Sequence, residues 1–218
     1  MSFVKEMIGH SMDLWEGYVS HPFLQELTSG ALPQEKLKRY IVQDSLYLRE
    51  YARIFAVGLL KAPSMQDMAH LSSLISGTVQ GEYLTRDRYL REFGVKDWEA
   101  ESLLPENQAY LDYMMGEAQR GELPEIFAAV LPCMLSYCYI GRELMRRYPE
   151  QVAASPYADL IQDYGSDSYY ELCRSDAAYA DTLYGPLSLE RKAHLKEIFR
   201  TASDYEMKFW DMSYREEM

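Results

Sequence analysis

Apolar residues recur every three to four positions through nearly every segment of this 218-residue chain, and that period constrains the fold more than any other feature. No run alternates apolar and polar residues as a half-buried strand does, so the chain is expected to be all-α. Proline and glycine set the boundaries. A first helix over about 2–20 closes at His21-Pro22-Phe23, because the residue before proline is pushed out of the helical region. A long helix follows over about 33–61, with Leu37, Tyr40, Ile41, Asp44, Tyr47, Leu48, Tyr51 and Phe55 along its inward stripe. Ser64 and Asp67 form a capping-box-like start to a helix reaching about Phe93, and Gly94 ends it.

Residues 95–104 read as a loop or short helix, and Pro105 opens a helix that ends near Gly121. Pro124 opens the next, which carries Pro132, Cys133 and Tyr137 and stops at Tyr148-Pro149. Shorter helices are expected at about 156–164 and 167–183, then a long one that Ser188 caps and that runs to about Tyr214. Short connections between long helices predict an antiparallel bundle. With no linker, repeat or low-complexity stretch, one domain over residues 1–218 is expected.

A net charge of -12 opposes nucleic-acid binding, whose affinity rests on lysine and arginine against phosphate. The compact basic clusters, Lys36 to Arg39 and Arg146-Arg147, read as solvated helix faces. The segment from Met1 to Asp13 has charges and no apolar core, unlike a signal peptide. No stretch approaches eighteen apolar residues, so no membrane span is expected. Three cysteines without a CxxC pattern fit reduced thiols in a cytoplasmic protein. Nineteen tyrosines suit pockets and half-buried surfaces alike.

Metal chemistry finds little footing. None of His10, His21, His70 and His194 has a glutamate three residues before it, as di-iron bundles require. A haem-handling protein would have to use His10 or His21, and His21-Pro22-Phe23 reads as a turn. Cys133 is more distinctive. It follows an interior proline, whose missing N–H and ring would disturb the helix and open space beside the thiol. Tyr137 lies roughly 40° around the axis and shares that face, whereas Cys138 lies about 140° away. A free cysteine most often packs as a small hydrophobe, which is also the reading of Cys138 and Cys173.

No histidine or basic residue close to Cys133 in sequence would activate it, so any activating group must come from elsewhere in the fold. Asp44 and Glu206 are acids set among aromatics at helical spacing, either solvated or held in a polar pocket. A thiol nucleophile, a carboxylate that grips and a carboxylate that shuttles protons, ringed by Tyr47, Tyr110, Tyr137 and Phe209, would suit a flat aromatic heterocycle.

In the order and spacing of its motifs the chain resembles the TenA family, also called thiaminase II or aminopyrimidine aminohydrolase, in its cysteine-containing branch. The resemblance rests on His21-Pro22-Phe23 with Gly30-Ala31-Leu32, on Gln43-Asp44 with Tyr47-Leu48, and on Glu82 before Arg91-Glu92-Phe93-Gly94. It continues through Ala109-Tyr110, Leu131-Pro132-Cys133, Tyr137, Ile140-Gly141, Tyr164-Gly165-Ser166 and Tyr205-Glu206 with Phe209-Trp210. It implies a haem-oxygenase-like helical bundle without haem, metal or other cofactor, assembled as a homotetramer. It further implies Cys133 as nucleophile, Glu206 as acid/base and Asp44 as the acid gripping an aminopyrimidine. Tyr110 and Tyr137 would stand near the thiol, Tyr47 and Phe209 would be aromatic walls, and Tyr164 would contact the ring. Met134-Leu135 and Leu160-Ile161 depart from the family's aromatic pair and Trp-Ile, which bears on pocket width. The substrate implied is a small aminopyrimidine or thiamin. A non-catalytic pyrimidine-binding or regulatory protein of the same fold is the alternative.

Overall fold

A computed structural model describes residues 2–215. Met1 and residues 216–218, the ends of the expected domain, lie outside the described residues. In chain order the helices are α1 (Phe3–His10), α2 (Met12–Val19), α3 (Pro22–Ser29), α4 (Gln34–Lys61), α5 (Met65–Ser76) and α6 (Tyr83–Glu92). After these come α7 (Pro105–Arg120), α8 (Leu123–Arg147), α9 (Pro149–Ala154), α10 (Ala158–Gly165), α11 (Asp167–Tyr184) and α12 (Leu189–Tyr214). A π-helical turn, Gly77–Glu82, joins α5 to α6, and a single 3-10 turn occupies Trp98–Ala100. There is no strand among the described residues, and the all-α expectation holds.

The terminating signals act as their chemistry requires. Gly94 has φ 69°, and with Val95 N–H donating to the Leu90 carbonyl at 2.9 Å it closes α6 in a left-handed turn. The Ser64 hydroxyl accepts from the Asp67 amide at 3.2 Å and donates to the Asp67 carboxylate at 2.5 Å. Ser188 caps α12 through the Arg191 amide, also at 3.2 Å.

Three expectations need correction. The first helix divides at Ser11, whose backbone (φ -113°, ψ 7°) leaves helical geometry between α1 and α2. The helix expected to reach Phe93 unbroken contains the π turn instead. Pro149 not only stops α8 but also opens the short helix α9, since its missing N–H is harmless at a first helical position.

The described residues form two compact units, 2–32 with 127–214, and 33–126 with Arg215. In the first, α12 packs against α1, α2 and α3, α1 against α11, and α9 and α10 complete it. In the second, α4 is the central rod, with α5, the π turn, α6 and α7 laid against it. The core follows the apolar stripes: Trp15, Tyr18, Phe23, Phe199 and Trp210 in the first unit, Leu37, Ile41, Phe55, Leu71 and Tyr110 in the second. By length and composition α8 could cross a membrane, with a window of mean hydropathy 1.5. That window is 89% buried, as the core helix of a bundle is.

Candidate functional site

α8 runs unbroken through Pro132. The proline has no N–H to give the Ala128 carbonyl, so one rung of the helix ladder is missing one residue before the thiol. From Leu123 to Cys138 every residue is buried except Cys133, which is half-buried. The other two thiols, Cys138 and Cys173, are buried, and none of the three is in a disulfide. The hydrogen bond between Cys138 and Cys173 holds the Cys138 thiol below its ordinary pKa. Cys133 is thus the least buried of the three cysteines, within a segment of α8 otherwise given to the core.

One turn on, the ring of Tyr137 meets Tyr164 edge-on at 4.8 Å and Trp210 at 5.2 Å. Tyr164 in turn meets Tyr169 at 5.1 Å, and Phe23 backs Trp210 at 5.5 Å. These rings form a continuous aromatic wall from α8 through α10 and α11 to α12. Glu206 and Phe209 are buried on α12, three residues apart and so on one face. The segment one turn before Glu206 is fixed by α2: Trp15 Nε1 donates to Ser203 Oγ at 3.2 Å, and the Tyr18 hydroxyl donates to the Ser203 carbonyl. Burial and the Glu206 charge push the Tyr18 phenol up, so it serves as a neutral donor.

Asp44 and Tyr47 occupy successive turns of α4 in the other unit. Asp44 is buried, and its carboxylate Oδ2 accepts from Nε of Arg86, a guanidinium likewise buried. Glu82 precedes Arg86 by one helical turn. Burial pushes its carboxyl up to about 7; Arg86 opposes this and the Asp44 charge reinforces it. Tyr47 stacks on Tyr51 at 5.2 Å, meets Tyr110 at 5.6 Å, and directs its hydroxyl to Met114 Sδ at 3.8 Å.

Gln43, beside Asp44, organises the entry to α7. Its Oε1 accepts from the Leu104 amide at 2.9 Å and from Asn107 Nδ2 at 3.1 Å, and its Nε2 donates to the Ser102 carbonyl at 3.0 Å. That network fixes the start of α7, one turn before Tyr110.

Of the eight site residues expected from sequence, Cys133, Tyr137, Tyr164, Glu206 and Phe209 lie in the first unit, and Asp44, Tyr47 and Tyr110 in the second. Sequence reading missed Arg86 and gave Glu82 no role beyond its place in a motif. Their signal was the four-residue spacing, hidden because Arg86 sits in Arg86-Asp87-Arg88, which reads as a solvated face. Among the described residues no three His, Cys, Asp or Glu side chains gather as a metal site.

A profile of the TENA/THI-4/PQQC family matches residues 10–216. An aminopyrimidine aminohydrolase of Halalkalibacterium halodurans is 37% identical, over 100% of this chain and 98% of its own length. One from Helicobacter pylori is 34% identical, over 94% and 95%. Among solved structures, a TenA homologue from P. horikoshii superposes with a TM-score of 0.87 at 29% identity, covering 99% of each chain.

Proposed function

Because the chain belongs to the TENA/THI-4/PQQC family, we propose that it is an aminopyrimidine aminohydrolase of thiamin salvage. It would convert 4-amino-5-aminomethyl-2-methylpyrimidine to the 5-hydroxymethyl pyrimidine and ammonia, with thiamin cleavage as a related activity. The observation that carries the reading is Cys133, the half-buried thiol in a helix segment whose other side chains are sealed in the core.

A 4-aminopyrimidine is electron-poor, so the ring carbon next to the substituted one is open to addition, and Asp44 orients the ring by its nitrogen edge. The Cys133 thiolate adds there and breaks aromaticity. The enamine so formed expels the amine from the methylene, with Glu206 delivering the proton. Water adds to the exocyclic methylene and loses a proton, the thiolate leaves, and the aromatic ring is restored. The pairs Tyr137–Tyr164 and Tyr47–Tyr110, with Phe209, are the aromatic groups proposed to contact a ring of this size. One C–N bond breaks and one C–O bond forms with no change of oxidation state, so the cycle needs no redox cofactor.

Assembly as a homotetramer is part of the proposal. Leu60, Met65, Leu84 and Leu189 are exposed at 87%, 79%, 63% and 87%, the kind of side chain an interface covers. Incubation of the purified protein with the aminomethyl pyrimidine tests the activity. Ammonia and the hydroxymethyl pyrimidine are expected in equal amounts, and no ammonia above the protein-free rate overturns the proposal.

A further inference from the structure

A buried ion pair contributes little net stability, since desolvating both ions offsets their attraction. The Asp44–Arg86 pair is such a case, with side chains only 6% and 3% exposed, and its burial asks for a purpose beyond cohesion. The backbone that delivers Arg86 is itself unusual. The π turn Gly77–Glu82 holds one residue more than an α-helical turn, which rotates everything after it by roughly 100° about the axis relative to an unbroken helix. That rotation sets the face on which Arg86 stands, one helical turn after Glu82. Thr78 steadies the turn by donating its buried hydroxyl to the Leu74 carbonyl at 3.0 Å.

We propose that Arg86 is a positioning residue for Asp44, clamping Oδ2 of the carboxylate so that Oδ1 is presented as a pure acceptor to an N–H on the edge of a heterocycle. The inference rests on the reading of Asp44 as the ring-gripping acid. Its consequence is chemical selectivity. A clamped carboxylate oxygen facing the 4-substituent accepts from the exocyclic amino group of an aminopyrimidine, and it repels the carbonyl oxygen that an oxo ring presents at the same position. Without Arg86 the carboxylate is no longer held in one orientation and can turn away from the ring substituent, which relieves its clash with an oxo group. Glu82 cannot replace the guanidinium, because it carries no positive charge in either protonation state.

Competition binding decides the matter, with 4-amino-5-hydroxymethyl-2-methylpyrimidine and its 4-oxo analogue as the two probes. The wild-type protein is expected to prefer the amino ring by about 100-fold or more, the range in which a misplaced polar group is rejected. In Arg86→Met that preference is expected to fall at least about tenfold, with the oxo ring gaining affinity. Arg86→Lys keeps the charge without the planar fork and should retain an intermediate preference, so it serves if Arg86→Met fails to fold. An unchanged preference in folded Arg86→Met, or no loss of preference in Arg86→Lys, overturns the proposal. Asp44→Asn separates the two layers. If it leaves amino-ring binding intact, the reading of Asp44 fails; if it abolishes binding while the Arg86 variants keep the preference, only the positioning role fails.

Discussion

A Cβ on Gly141 would stand 2.5 Å from the amide nitrogen of Gly165, so α8 and the end of α10 touch backbone to backbone. The Tyr164 carbonyl carbon would be 2.8 Å away. This contact sets Tyr164 against Tyr137, because it fixes the residue immediately after Tyr164. Gly141→Ala should therefore force the helices apart and destabilise the protein by about 1–3 kcal/mol, the usual range for overpacking. Thermal unfolding is the check, and a melting temperature within a degree of wild type would show that the approach is not tight.

Thiol chemistry should discriminate among the cysteines. Cys133 is half-buried while Cys138 and Cys173 are buried, so iodoacetamide on the native protein should label Cys133 at least about tenfold faster than either. The lowered pKa of Cys138, which lines a pocket together with Cys173 and Arg142, works the other way, and burial of its sulfur opposes it. Peptide mapping of the first label incorporated decides. First labelling at Cys138 or Cys173 would contradict the accessible-thiol account.

Glu206→Gln keeps the shape of the buried side chain and removes the proton it is proposed to deliver. Turnover should fall by about 10²–10⁴, the usual range for losing a general acid, while KM stays within a few-fold. A variant that loses substrate affinity with turnover intact would make Glu206 a binding residue instead.

His21 gives a pH dependence. Its Nδ1 accepts from the Phe23 amide at 3.2 Å and its Nε2–H donates to Asp211 at 3.2 Å, an arrangement that needs the neutral ring. Burial lowers its pKa, with Asp211 partly opposing. The native state therefore binds fewer protons than the unfolded chain, whose histidine titrates near about 6.5. The His21 contribution is complete above that value and is lost as pH falls through the lower folded pKa. Urea unfolding of wild type and His21→Asn, which keeps a capping acceptor, should show the wild type losing stability more steeply below about pH 6.5. Parallel pH profiles would contradict the assignment.

Most of the helical frame was legible because proline, glycine and serine act locally. Gly94, the Ser64–Asp67 cap and the Ser188 cap each work within one turn of chain. The π turn was not legible: Gly77 to Glu82 carries a single apolar side chain, Val79, so no apolar period marks the extra residue, which shows only in the hydrogen bonding. The purpose of Arg86 was hidden for a related reason. Its partner Asp44 is 42 positions away, and only the packing of α6 on α4 turns a surface-looking charge into a buried one. Gln43 likewise read as one letter of a motif, whereas its work is to hold Ser102, Leu104 and Asn107.

Covalent catalysis by Cys133 stands or falls with Cys133→Ala. Ammonia release from 4-amino-5-aminomethyl-2-methylpyrimidine should fall by at least about 10³-fold in a variant that melts within a few degrees of wild type, because losing a nucleophile leaves only binding and acid/base assistance. Release within about tenfold of wild type would contradict the claim and make Cys133 a lining residue of a site that works by another route.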